Sequence, residues 1–412
     1  MGCLQARGVL LLPALLVAAA VCLVPLISSV VGEVTLVEDD AGAFHINTSD
    51  PMSQPVFVNG MNVHETLGML MSTVSAQQSL NAAQEGVIDA QRSAISAQQR
   101  AIDRVRGEVC TPSATTFGQL DSLSAKWLGG VVANNGLIYA VPYHSPSVLI
   151  VDPTTNTVDT TTISGLGTDY GKWAGAVLAH NSLIYMFASD RETMLIIDPD
   201  TNTADTTSIH SLGSGTSKWW SGVVASNGLI FGVPYFDDAV LVIDPETNTT
   251  DTTTLSGLWS QSSKWYDGVE ADNGLIYCIP TVPSSVLIIN PESLTMDLTT
   301  ISGLGSMEYK WWGGVLARNG LIYTIPIYSA TTLVINPATN IADKLVIADA
   351  TSGYRWIGGV LAPNGNIIGI PVSSSSVLIF DPATNATDTT TINDLSGLGK
   401  WYGGVLAPNG LI

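Results

Sequence analysis

KWWGGVLARNGLIYTIPIYSATTLVINPATNIADKLVI, residues 310–347, is one full turn of a pattern that organises most of this 412-residue chain. Its head recurs as Lys126-Trp127, Lys172-Trp173, Lys218-Trp219, Lys264-Trp265, Lys310-Trp311, Arg355-Trp356 and Lys400-Trp401, at steps of 46, 46, 46, 46, 45 and 45 residues. A fixed period of this size marks an array of supersecondary units stacked on one another.

Each piece of the unit has a local reading. Gly313 to Ala317 forms a short strand whose glycines permit close backbone approach, as beside a crowded central channel. Asn319-Gly320 is a hairpin signal, read as a type I′ turn, and recurs at Asn135-Gly136, Asn227-Gly228, Asn273-Gly274, Asn364-Gly365 and Asn409-Gly410. Leu321 to Ile325 is a second strand stopped by Pro326, and Thr332 to Ile335 a third, apolar enough for burial between units. An Asx-Pro turn follows, as at Asp152-Pro153, Asp198-Pro199, Asp244-Pro245 and Asp381-Pro382, and a Thr-rich fourth strand such as Asp251 to Leu255 completes the unit. Four short antiparallel strands per repeat make a propeller blade. The expected fold is therefore all-β, a β-propeller over residues 115–412. Counting the orphan copy Thr115 to Leu120 as the closing strand of the last blade predicts seven blades, the last incomplete because the sequence ends two residues into a second strand.

Before the repeats, residues 65–110 turn to Ala, Gln, Ser and Ile without proline, which predicts one long helix. A heptad runs through it, with Leu67, Val74, Asn81, Ile88, Ile95 and Ile102 at a and Leu70, Gln77, Gln84, Gln91, Gln98 and Val105 at d. That register predicts a coiled-coil stalk over 67–105, with a homotrimer favoured because Gln layers need several partners. A lone helix lying on the propeller is the alternative.

Residues 9–31 carry no charge, with Arg7 before them and Glu33, Glu38, Asp39 and Asp40 after. The run is long enough to span a bilayer, so residues 1–32 read as a signal anchor or a signal peptide, followed by an extracellular linker over 33–64. The charge asymmetry puts the repeats outside, giving a type II plasma-membrane protein or a secreted one. Met1-Gly2-Cys3 hints at acylation, but Ala6 departs from the myristoylation pattern. Sequons at Asn47, Asn248 and Asn385 fit glycosylation of an exported chain.

Acidic side chains outnumber basic ones 35 to 15, for a net charge of -20, and no Lys/Arg cluster offsets it, which excludes nucleic acid as a partner. The four cysteines make no metal-binding spacing, and Cys110 and Cys278 are open to pairing with each other, pairing between subunits, or remaining free. His180 and His210 lack ligand-spaced partners, so neither a metal nor a cofactor is expected.

The third strand and its turn, Val240 to Thr249, resemble the YVTN-type propeller repeat of surface-layer and related extracellular proteins, and Gly404 to Gly410 is similar to the stretch leading into that family's inner hairpin. The resemblance covers most of 115–412, departs in its longer period and in the basic-Trp heads, and implies a seven-bladed extracellular scaffold with no catalytic residues carried over.

Two readings fit the ring of Lys/Arg-Trp pairs. Either each Trp wedges between blades while its cation pairs with a turn Asp, or Lys126, Trp127, Lys172, Trp173, Lys218, Trp219, Lys264, Trp265, Lys310, Trp311, Arg355, Trp356, Lys400 and Trp401 form a basic, aromatic mouth for a sugar or anion. His144, Arg191, Glu192, Asp237 and Asp238 fall where the units differ most and are candidates for rim specificity. The functional expectation is a non-enzymatic binding or adhesion scaffold for a carbohydrate or protein at a cell surface. Its rivals are a propeller lyase or hydrolase using Glu192, Asp237, Asp267 or Glu270, and a self-assembling coat protein.

Overall fold

The computed structural model describes residues 34–38, 44–48, 57–58, 61–109, 112–118, 120, 123–259, 263–347 and 353–412. The expected membrane segment 9–31 and Cys110 lie outside them. The stretch read as a linker contains an antiparallel hairpin of β1 (Val34–Glu38) and β2 (Phe44–Thr48), then a short pair, β3 (Phe57–Val58) and β4 (Met61–Asn62).

The long helix is present as α1 (Val63–Val109). Asn62 Oδ1 starts it by accepting the N–H groups of His64 and Glu65 at 3.1 and 3.3 Å, which caps otherwise orphan donors. Its heptad stripe is open to solvent: Leu67, Leu70, Val74, Ile88 and Ile95 are 36–65% exposed. Gln77 spends its amide within the helix, on Asn81 Oδ1 at 2.9 Å. The structure therefore supplies the helix without the coiled coil.

The repeats form six four-stranded antiparallel sheets, each in simple sequence order from the inner strand outward. Their inner strands are Trp127–Val132, Trp173–Leu178, Trp219–Val224, Trp265–Glu270, Trp311–Leu316 and Trp356–Leu361, and neighbouring inner strands pack side by side. The expected seven blades are thus corrected to six. Residues 401–412 lie between blade 6 and blade 1 without forming a ladder: a Cβ on Gly358 would stand 3.1 Å from Gly403 Cα, and one on Gly403 would stand 3.7 Å from Gly129 Cα. Thr115 to Leu120 does not close a last blade. A Cβ on Gly118 would meet Val158 at 3.2 Å, which places this segment against the outer strand of blade 1.

Two local expectations are also corrected. Gly136 takes φ 83° but Asn135 is not in the left-handed region, so the Asn-Gly turn is not type I′; Ala133 N bonds Leu137 O across a three-residue loop. The Thr-rich strand stops at its Asp: Thr249–Asp251 is the strand, and Asp251 Oδ1 then accepts the N–H groups of Thr253 and Thr254 to turn the chain.

Apolar cores sit between consecutive blades, and Trp173, Trp219, Trp265, Trp311 and Trp356 are each shared across such a joint. Trp219 packs with Tyr185, Phe187 and Met194 of blade 2 and with Ile230 and Leu241 of its own blade. A polar lock ties the joints at the hairpin end. Asn181 Nδ2 donates to Pro245 O at 2.9 Å while Tyr185 O–H donates to Asn248 Oδ1 at 2.8 Å, and the same pair links Asn135 and Tyr139 to Pro199 and Asn202. Asn409 Nδ2 makes the corresponding bond to Pro153 O at 2.7 Å, so residues 401–412 hold blade 1 by the same device.

Candidate functional site

The basic-Trp pairs are mostly engaged in these joints. Trp173, Trp219, Trp265, Trp311 and Trp356 are buried, while Trp127 is part-buried and Trp401, beside the unpaired segment, is 39% exposed. Apart from Trp401, each indole N–H donates to a backbone carbonyl 20 residues on, for example Trp127 to Ser147 O and Trp173 to Thr193 O at 2.8 Å, and Trp265 to Ser285 O at 3.1 Å.

Lys172, Lys218, Lys310, Arg355 and Lys400 serve backbone carbonyls. Lys218 Nζ donates to the carbonyls of Ser189, Arg191 and Gly215 at 2.8–2.9 Å. Lys310 Nζ reaches Val282, Pro283 and Met307 at 2.8, 2.9 and 3.1 Å, Arg355 donates to Ser329 O, and Lys400 donates to Ser374 and Gly397 at 2.8 Å. Burial pulls the ammonium groups of Lys172, Lys264 and Lys310 down to about 8. Lys126 is part-buried, with Nζ 5.5 Å from the centre of its own Trp ring.

One residue further along each inner strand the picture changes. Trp219 pairs with Pro234 and Ser221 with Val233, so Trp220 is the extra residue of a β-bulge; in the next blade Tyr266 and Asp267 together oppose Ile279 alone. Bulges re-aim side chains, and here they bring successive side chains to the axis. The residues after the ring tryptophans are Leu128, Ala174, Trp220, Tyr266, Trp312, Ile357 and Tyr402. Trp220 and Trp312 stand 6.0 Å apart centre to centre, and Tyr266 meets both, at 5.9 and 4.7 Å, each edge to face. Tyr354 packs on Trp312 at 5.9 Å and bonds Tyr402 O–H to O–H at 3.4 Å.

A second ring joins from the loops after the second strands. Tyr235 stacks on Trp220 at 4.5 Å with Phe236 beyond it at 5.0 Å, and Tyr143 meets Trp220 at 6.0 Å. His144 stacks on Tyr143 at 4.5 Å and abuts Tyr170 at 4.6 Å. The result is one continuous aromatic surface whose centre is buried, Trp312 being 5% exposed, and whose rim is open, Tyr170 being 69% exposed. Burial pushes the Tyr235 hydroxyl up to about 12, so it stays neutral. Two polar atoms in this surface lack a protein partner: the indole N–H groups of Trp220 and Trp312.

Beneath the aromatic layer the bulge glycines make room. A Cβ on Gly175 would stand 2.4 Å from Trp220 O, and Gly313, at φ 102°, would meet Gly358 Cα at 2.9 Å. At this position five units have glycine (Gly129, Gly175, Gly313, Gly358 and Gly403), the third has Ser221 and the fourth Asp267. Ser221 Oγ donates to Asp267 Oδ1 at 2.7 Å, Gly268 N–H donates to the same oxygen at 2.9 Å, and only a long 3.4 Å bond from Gly314 N–H reaches Oδ2. Burial holds the Asp267 carboxyl above its ordinary range.

The other carboxylates weighed for an enzymatic role have separate partners. Glu270 Oε1 accepts Ser226 N–H and O–H across a blade joint at 2.9 and 2.8 Å, Asp237 Oδ1 accepts Ala239 N–H at 3.1 Å, and Glu192 lies on a loop whose carbonyl accepts Leu212 N–H. Arg191 is ion-paired with Asp169. Among the described residues no group of three His, Cys, Asp or Glu could hold a metal. Cys278 is a free, buried thiol in blade 4. The Asn248 amide is part-buried and held by Tyr185, whereas Asn385 is exposed on its turn. Sequence reasoning singled out His144, and it sits in the aromatic surface. It missed the surface itself, for which the available signal was aromatic residues at four of seven positions following the ring tryptophans.

No family model matches the chain, and neither does any curated protein. Its fold does have solved counterparts. A streptogramin B lyase superposes with TM-score 0.55 at 10% identity, covering 71% of this chain and 90% of that one. The virginiamycin B lyase of Staphylococcus aureus gives 0.54 at 9%, covering 66% and 86%. The extracellular domain of a one component system of B. thetaiotaomicron gives 0.51 at 9%, covering 69% and 38%. At these identities the likeness is one of fold alone: the repeats form a β-propeller, as those proteins do. No helix among the described residues is long and apolar enough to cross a membrane.

Proposed function

We propose that this chain is an exported, non-enzymatic binding scaffold that takes a carbohydrate at the axial aromatic mouth of its propeller. The observation that carries the reading is the pairing of stacked ring faces with two buried indole N–H groups, those of Trp220 and Trp312, that have no protein acceptor. Aromatic faces accept the C–H face of a pyranose ring, and an unpaired buried donor costs about 1–3 kcal/mol until a ligand oxygen meets it. Export is supported by the uncharged run 9–31 with Arg7 before it and acidic residues after. Avidity would come from the heptads of α1, joining three copies in a stalk. Within this reading the Lys/Arg-Trp ring supports the mouth from its joints.

The test is binding of the full chain, in detergent, to an array of oligosaccharides, with Trp220→Ala and Trp312→Ala as variants. Specific binding that falls at least tenfold in either variant is expected. Binding that survives both substitutions would move the site elsewhere, and a blank array would remove the carbohydrate reading in favour of a protein partner.

A further inference from the structure

The blades are near-copies, so a departure from the repeat at the axis is informative. Asp267 is such a departure. Its position is glycine in five units and serine in one, and it alone among the seven carries a charge. It lies on the same bulge as Tyr266 and is bonded to Ser221, the residue after Trp220. Its hydrogen bonds come from a hydroxyl and two amide N–H groups, none of them from a cation, and Oδ2 has only the long bond from Gly314. Ser221, the neighbouring departure, fixes Oδ1, which leaves Oδ2 as the free valence. A carboxylate in this setting has lost water without gaining a counter-charge. Its hydrogen-bond partners Ser221 and Gly314 follow Trp220 and Trp312 closely in the chain, and Tyr266 precedes Asp267; the faces of these three mutually packed rings attract a cation through their quadrupoles. The whole chain, at -20, favours cation approach as well.

We infer that Asp267 makes the mouth selective for an amino sugar, a ring whose ammonium group meets Asp267 while its hydroxyl oxygens meet the indole N–H groups of Trp220 and Trp312. This rests on the carbohydrate reading above and names the sugar class it takes. A neutral sugar would satisfy the indoles and leave the carboxylate uncompensated; an anionic one would be repelled.

The experiment is calorimetric titration of the full chain with chitosan oligomers, which carry ammonium groups, and chitin oligomers of equal length, which carry neutral acetamides. Wild type is expected to bind the chitosan oligomer at least tenfold more tightly. Asp267→Asn should abolish that preference, so that the two oligomers bind with equal affinity. Asp267→Gly, which installs the residue five other units already have, should do the same and guards against a folding defect in the first variant. Equal affinity for the two oligomers in wild type, or a preference that survives both substitutions, overturns the inference while leaving the mouth as a sugar site. Failure of both oligomers to bind overturns it too, and if the wider oligosaccharide array is also blank the carbohydrate reading falls with it.

Discussion

Asp267 has a consequence for stability that is separate from any ligand. Burial raises its carboxyl in the folded chain above the unfolded value, so the folded state keeps a proton that the unfolded state has released. Stability from this group is therefore greatest below the ordinary carboxylate range and declines as pH rises through the folded value. The nearby titratable groups, Tyr266 and Cys278, are themselves pushed up by burial and remain neutral over that window. Asp267→Asn is accordingly expected to raise the denaturation midpoint at neutral pH, with the gain vanishing under acid conditions. Urea unfolding at both ends of the window measures it, and a gain independent of pH would show that the carboxylate is not the cause. The turn aspartates behave oppositely. Thr162 and Thr161 hold Asp159 down to about 2, and Thr300 and Thr299 do the same for Asp297, so those turns keep their stability until strongly acidic pH.

At the scale of elements, the blade joint is the unit that matters. Lys218 and Lys310 each collect the carbonyls of two loops that no strand pairing satisfies. Replacing the cation with an apolar residue of similar length leaves those carbonyls buried without a donor. Lys310→Met, which orphans the carbonyls of Val282, Pro283 and Met307, is expected to cost on the order of 3 kcal/mol. Chemical denaturation checks this, and a loss below about 0.5 kcal/mol, as at an ordinary surface site, would contradict it. The Asn and Tyr lock at the other end of the joint shows the same logic from the apolar side. Where Tyr185 bonds Asn248, the next blade has Phe231 and Leu294, so both polar partners are absent together and neither is stranded.

At the scale of the whole molecule, the stalk and the ring make different demands on the chain. The apolar a positions of α1 run over about 40 Å from Leu67 to Ile95, taking about 1.5 Å per residue, and the proposed stalk would cover them with other copies. Light scattering of the full chain in detergent is expected to give a trimer, reduced to a monomer by Ile88→Asp with Ile95→Asp while the propeller's melting transition is unchanged. A monomeric wild type would remove the stalk from the proposed function. Periodicity was legible in the sequence because each blade solves the same packing problem with the same residues: the Trp step of 45 or 46, the Asx-Pro turns and the apolar third strands together dictate a propeller. The heptad likewise dictated a helix. The blade number was not legible in that way, since counting motifs cannot tell a segment that resembles a strand, such as 115–120 or 401–412, from one that finds a partner to pair with. Nor was the mouth. The wedging of the ring tryptophans between blades was one of two sequence readings and is what the fold shows, but nothing in the repeat says that a one-residue bulge hands the axis to Trp220, Tyr266, Asp267 and Trp312. Local chemistry sets the repeat, whereas which side chain faces the axis depends on backbone register within the closed ring, and only the tertiary structure decides that.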